Sequence, residues 1–585
     1  MLMRLLTATL GRYRRVLILV AVFQALQSFA GLVLPRLNAD IIDKGVRTGD
    51  DGYIVRMGGW MLVVSLVQVG FSVAAVRWGS RAAMGFGRDT RASVFRRVNG
   101  FSAREVARFG APSLITRITN DVQQVQMLVL MTCTLLLGAP FTAVGGLWMA
   151  NREEASLSWI LLVAIPLLAV AFIGIISRMV PTFRLVQERI DRINTILREQ
   201  LTGIRVVRAF AREPEETARF AAANEQLTTT SLRGGRLMAL MFPTVTIGMN
   251  LSSVAVVWFG ADQIAAGRMG VGSLVAYLTY LTQILMSVMM ASYIMALLPR
   301  ASVSAERIME VLDTESSVVE TGVPVTPAEG PASLEFESVS FAYPGAGKPV
   351  LRDVTFRVDA GQVLAVVGGT GSGKTSLVNL VSRLVDATDG TVRVDGTDVR
   401  DMVLADLWSR LGVVHQKPYL FSGTVRSNLL FGRPAATEDE MWEALRAAEA
   451  ADFVAALEGG LDAAVSQAGT NFSGGQRQRL SIARALVRRP RIYVFDDSFS
   501  ALDTATDARV RAALARWTRD AVTVVVAQRV STVLAADLIL VLEDGEVVGL
   551  GRHEDLMVTC PTYAEIVDSQ RTALAGDLPV AGVGE

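Results

Sequence analysis

The sequence predicts an α-helical membrane domain of six transmembrane helices with long cytoplasmic extensions, followed by an α/β domain built around a phosphate-binding loop. Three observations predict it. Six apolar stretches free of Asp, Glu, Lys, Arg and His fill the first half of the 585 residues. Pro, Gly, Thr and Ser then crowd residues 314–332. Beyond them short β-prone runs alternate with helical stretches, and one run leads into Gly368-Gly-Thr-Gly-Ser-Gly-Lys374-Thr375. The expected organisation is a membrane domain over 1–313, a linker over 314–332, an α/β domain over 333–570 and a flexible tail over 571–585.

The apolar stretches run from Val16 to Leu34, Met57 to Val76, Val125 to Ala150, Leu157 to Ser177, Leu237 to Gly260 and Ser273 to Leu298. Each is near the ~20 residues that a membrane helix needs. Arg12, Arg14 and Arg15 precede the first, and no small-residue cleavage site follows it, so it reads as a span rather than a signal. The loops between spans two and three and between spans four and five are rich in Arg, whereas the short connections after spans three and five hold only Arg152 and Arg268. Positive charge marks the cytoplasmic side, so both termini are expected inside, on a multi-pass protein of the cytoplasmic membrane. The segment 183–228 has apolar residues at helical spacing, so long helices should project from the bilayer. The net charge of +1 gives no case for a nucleic-acid partner. Two distant cysteines, Cys133 and Cys560, make no disulfide framework.

In the second half, Leu364 to Gly368 reads as a buried strand entering the glycine-rich loop, and Lys374, Thr375 and Ser376 open a helix. Glycines let backbone N–H groups approach phosphates closely, and the helix N-terminus adds favourable dipole charge. Gly368, Gly369, Thr370, Gly371, Ser372, Gly373, Lys374, Thr375 and Ser376 are therefore candidate contacts to a nucleoside triphosphate. Lys374 should reach the outer phosphates and Thr375 should ligate Mg²⁺. A second buried strand, Arg491 to Asp496, ends in a carboxylate, the usual means of holding Mg²⁺ beside such a loop.

Between these strands lies Phe472-Ser473-Gly474-Gly475-Gln476, which resembles the signature motif of ATP-binding cassette (ABC) ATPases. Tyr343 resembles their adenine-stacking aromatic, Gln416 their Q-loop glutamine and a third candidate Mg²⁺ ligand, and Ser500 to Asp503 their D-loop. The motifs occur in the family's order over about 333–568, and with six preceding spans the whole chain resembles an exporter-type half-transporter. Leu114 to Val122 and Leu201 to Phe210, inside cytoplasmic loops near 98–124 and 184–230, resemble the segments that couple to the ATPase. The resemblance implies ATP and Mg²⁺ as cofactors and two chains per transporter. Each ATP would then lie between one chain's phosphate loop and the other's signature.

Two positions depart from the family pattern. Asp497 stands where a catalytic Glu is usual, and Gln528 where a switch His is usual. Asp is shorter by one methylene, and a misplacement of about 1 Å can cost on the order of a hundredfold in rate. Gln can donate a hydrogen bond but carries no positive charge. The signature is intact and would serve the opposite site. This asymmetry implies a heterodimer whose second half-transporter chain brings the Glu and His. A slow homodimer, an ATP-binding gating subunit and an importer on an exporter-like fold are the alternatives. The absence of ionisable side chains from the spans points to an apolar or amphipathic small-molecule cargo, a drug or a lipid.

Overall fold

The computed structural model describes residues 1–320, 325, 327, 330–527, 529 and 533–576, with backbone only at 292, 293, 295, 296 and 571–576. They form two compact units, Met1–Asn99 with Gly110–Thr314, and Gly100–Phe109 with Glu315 onward.

The first unit is helical throughout. Its long helices are α1 (Leu2–Val46) and α2 (Asp51–Asn99). After a short α3 (Ala103–Phe109), which belongs to the other unit, come α4 (Ala111–Glu153) and α5 (Ala155–Thr202). A short α6 (Ile204–Ala209) precedes α7 (Glu213–Ala265) and α8 (Val271–Asp313). The six long ones are long and apolar enough to cross a membrane. The 49 residues of α2 span ~74 Å at 1.5 Å each, more than twice the ~30 Å of a bilayer's hydrocarbon core. The apolar stretches of the sequence are thus parts of longer helices.

Leu162, Val170 and Ile173 on α5 are exposed, as lipid-facing residues would be. Inside the unit, polar side chains join helices. Gln24 of α1 donates to the carbonyls of Cys133 (3.2 Å) and Thr134 (3.0 Å) on α4. Tyr280 of α8 donates to the carbonyl of Leu32, 2.9 Å away on α1. Such bonds stand in for the hydrophobic effect, which cannot drive association within lipid. Arg36 of α1 meets the buried carboxylate of Glu153, at the end of α4, at 2.6 Å.

In the second unit, β1 (Ser333–Phe341) pairs antiparallel with β2 (Leu351–Asp359). The facing Phe336 and Phe356 stack at 4.6 Å. The strands that follow are β3 (Val363–Gly368), β4 (Asp389–Val394), β5 (Thr397–Asp398), β6 (Leu411–Val414), β7 (Ile492–Asp496), β8 (Val522–Val526), β9 (Leu538–Glu543) and β10 (Glu546–Gly551). Among the described residues there are three sheets: a four-stranded one of order β2-β1-β4-β5, a larger one of order β10-β9-β3-β8-β7-β6, and a two-stranded pairing of Gly423–Thr424 with Ala464–Val465. In the larger sheet β9, β3, β8, β7 and β6 run parallel and β10 closes an edge antiparallel. A parallel sheet covered on both faces demands continuous apolar strands. Accordingly every residue of β7 and β8 is buried.

The units divide differently from the sequence-based boundaries at one point. Gly100–Phe109 groups with the α/β unit. Ala103 N–H donates to the Leu384 carbonyl at 3.3 Å, and the hydroxyls of Ser102 and Ser317 meet at 2.9 Å. Leu114 to Val122, the segment read as coupling by resemblance, stays in the helical unit. At the chain's end a helix over Pro561–Gly576 enters the stretch expected as a tail, and the tail from 577 on lies outside the described residues.

Candidate nucleotide-binding site

Strand β3 delivers the glycine-rich loop to the carboxyl edge of the parallel sheet, and α9 (Lys374–Val381) begins directly after it. This is the edge where open α/β sheets bind ligands. Two glycines are required by close approach. A Cβ on Gly368 would lie 2.2 Å from the Leu542 carbonyl oxygen, and one on Gly373 (φ 101°) 2.6 Å from Leu351 Cδ2. Lys374 Nζ is held by the carbonyls of Gly368 (2.9 Å) and Gly369 (2.7 Å), with Ser372 Oγ at 3.4 Å. Burial lowers its pKa, opposed by the charges of Asp497 and Asp496.

The loop opens on a cleft of about 580 Å³. Gly368, Gly369, Thr370, Gly371, Gly373, Lys374, Thr375 and Ser376 line it together with Gln416, Asp496 and Asp497. Asp496 ends β7, and Gln416 lies two residues beyond the end of the neighbouring β6. Burial is the first cause raising the Asp496 pKa, and Asp497 adds to it, while His415 and Lys374 oppose. Tyr343 sits beside this set. Its hydroxyl meets Ser376 Oγ at 3.2 Å, and its ring packs edge-on against Phe341, leaving it 40% exposed.

Thr375, Gln416 and Asp496 offer three oxygen donors, of which one is a carboxylate. Among the described residues no group of three or more His, Cys, Asp or Glu could hold a metal. That donor set suits Mg²⁺, which commonly takes one or two carboxylates, water and substrate phosphates rather than an all-protein cage. When bound, Mg²⁺ would neutralise phosphate charge there.

Asp497 has φ 47°, a left-handed conformation that Asp tolerates better than most residues. Its N–H donates to the Val526 carbonyl (3.0 Å), its own carbonyl accepts from Ser500 Oγ (2.9 Å), and its Oδ2 accepts from Gln416 Nε2 (3.0 Å). Gln528 lies outside the described residues.

The signature does not line this cleft. Ser473 caps α10 (Gly474–Arg488) in a reciprocal pair: Gln476 N–H donates to Ser473 Oγ (3.2 Å) and Ser473 N–H to Gln476 Oε1 (2.9 Å). Phe472 is buried beneath, whereas Ser473 and Gly474 are exposed. Sequence reasoning missed Val350, Ile566, Ser569 and Gln570, which also line the cleft. The last three come from α11 (Pro561–Gly576) at spacings of three and one, a helical face that was the only signal available.

Comparison with known proteins agrees with both units. The family described as "ABC transporter transmembrane region" matches residues 17–288, and that described as "ABC transporter" matches 351–500. An uncharacterized ABC transporter ATP-binding protein of Mycobacterium tuberculosis is 50% identical, covering 100% of both chains. A multidrug efflux ATP-binding/permease protein of the same species is 34% identical, covering 87% of this chain and 43% of that protein. A solved structure of a bacterial Atm1-family ABC exporter with ATP bound superposes with a TM-score of 0.80 at 23% identity, covering 96% of this chain and 99% of that one.

Proposed function

The chain belongs to the ABC transporter family, and we propose that it is one half of a heterodimeric exporter whose own cleft holds Mg-ATP and cleaves it poorly. The carrying observation is at Asp497. Its carboxylate, where a catalytic Glu is usual, accepts the Gln416 amide, and its backbone is tied at both N–H and carbonyl. A side chain so held and one methylene short is badly placed to activate water. The glycine-rich loop and Asp496 remain in place for binding.

The exposed Ser473 and Gly474 would complete the partner's site, where a hydroxyl and backbone N–H groups at a helix start suit a γ-phosphate. A second exposed feature supports pairing. Val206 on α6 is exposed, as are Leu201 and Phe210 on either side of it. This is the segment that resembles a coupling element, and a second chain would cover it. A multidrug efflux relative and spans without charged side chains favour apolar or amphipathic cargo moved out of the cytoplasm by alternating access.

The test is repair of the cleft. The purified chain should show slow ATPase activity on its own. The double variant Asp497→Glu with Gln528→His should raise it by about tenfold or more, within the hundredfold that ~1 Å of misplacement can cost. A rate left unchanged by the repair, together with its loss in Asp497→Asn, would mean that Asp497 already serves as the base.

A further inference from the structure

The loop that carries Gln416 is fastened to the end of β7 at two adjacent points. Ser498 is fully buried, and its Oγ donates to the carbonyl of Val414, the last residue of β6, at 2.8 Å. Two residues further along, Gln416 Nε2 donates to Asp497 Oδ2 at 3.0 Å. Asp497 is itself anchored to β8 through its N–H on the Val526 carbonyl.

A carboxamide carries a donor at one end and an acceptor at the other, whereas an ionised carboxylate only accepts. The bond to Asp497 therefore dictates which end of the Gln416 amide is which. The NH₂ must face Asp497, and Oε1 is the end left for the cleft that Gln416 lines with Thr375 and Asp496. For Mg²⁺ only the oxygen end is useful, since hard cations take oxygen ligands.

The geometry points to Asp497 and Ser498 as positioning residues that hold the Gln416 amide with its oxygen presented to Mg²⁺. Asp497 orients the amide, and Ser498 fixes the strand end from which Gln416 springs. This rests on the reading of the cleft as an Mg-ATP site. It gives the retained carboxylate a task apart from hydrolysis. Asp can hold Gln416 even though it is too short to act on water.

The test uses the full chain in detergent with ATP, and Mn²⁺ in place of Mg²⁺, followed by electron paramagnetic resonance. ATP binding in EDTA is measured alongside. Asp497→Ala should weaken Mn²⁺ binding roughly tenfold or more, the scale on which metal affinity responds to loss of a supporting hydrogen bond. Ser498→Ala should weaken it less, and Ser498→Thr, which keeps a hydroxyl, should restore it. ATP binding in EDTA should not weaken in any of the three. The decisive arm is a double-mutant cycle. If Asp497 acts through Gln416, then Asp497→Ala added to Gln416→Ala costs nothing further.

Additive losses would make Asp497 an independent ligand and overturn the inference. So would unchanged Mn²⁺ affinity in Asp497→Ala, or loss of ATP binding in EDTA, which would assign the residue to the fold. A wild-type chain that binds no ATP in any condition would instead refute the underlying reading of the cleft.

Discussion

Asp496 shows what a buried carboxylate costs its fold. Burial raises its pKa, so the folded chain binds a proton more readily there than the unfolded chain does. Between the unfolded and folded values the folded state holds more protons, so stability falls as pH rises through that window. The cost is fully present at neutral pH and vanishes in acid below the ordinary carboxylate range. Asp496→Asn should therefore raise the Tm at pH 7, with a gain that shrinks in acid, while Mg²⁺-dependent ATP binding is lost. Thermal unfolding across pH checks this; a lower Tm at pH 7 would contradict it. At this scale the sequence was informative wherever chemistry sits on consecutive residues. Gly368 to Ser376 need no tertiary knowledge to be read, because one strand, one turn and one helix start place them all. The Gln416–Asp497 bond joins residues 81 apart, and only the parallel pairing of β6 with β7 brings them together. The left-handed backbone of Asp497 had no sequence signal either, and its N–H partner is the Val526 carbonyl on a third strand.

At the scale of elements, helix α10 depends on the reciprocal cap between Ser473 and Gln476. Ser473→Ala should destabilise the α/β unit by about 1 kcal/mol. If the signature serves the opposite site, the same change should slow ATPase in the assembled pair by far more than that stability loss explains. Chemical denaturation and the paired ATPase rate separate the two effects. In the helical unit, the ion pair between Arg36 on α1 and Glu153 on α4 invites a similar test. The Glu153 side chain is 3% exposed and that of Arg36 45%. Arg36→Ala should cost about 2 kcal/mol, the low side for a broken buried pair because the arginine keeps water access. Removing both charges, as Arg36→Met with Glu153→Gln, should recover most of it in detergent unfolding. Elements were legible where one period dominates. The continuous apolar runs of β3, β7 and β8 signal strands covered on both faces. Gly100–Phe109 was not legible as part of the α/β unit, because its allegiance is set by partners at Ser317 and Leu384, hundreds of residues away.

For the whole molecule, six membrane-crossing helices and one ATPase unit make half of a transporter. The architecture was readable in advance because bilayer thickness and phosphate chemistry each impose their own pattern on a sequence. The proposed pairing would cover what one chain leaves exposed, the start of α10 and the apolar residues around α6. On the proposed function this chain holds ATP and breaks it slowly. The most direct measurement is a single turnover. The purified chain is loaded with α-³²P-ATP and Mg²⁺, freed of excess nucleotide, and the bound label is resolved into ATP and ADP over time. The nucleotide recovered from the protein should remain ATP over many minutes. Bound ADP appearing within seconds, with the phosphate released, would contradict it.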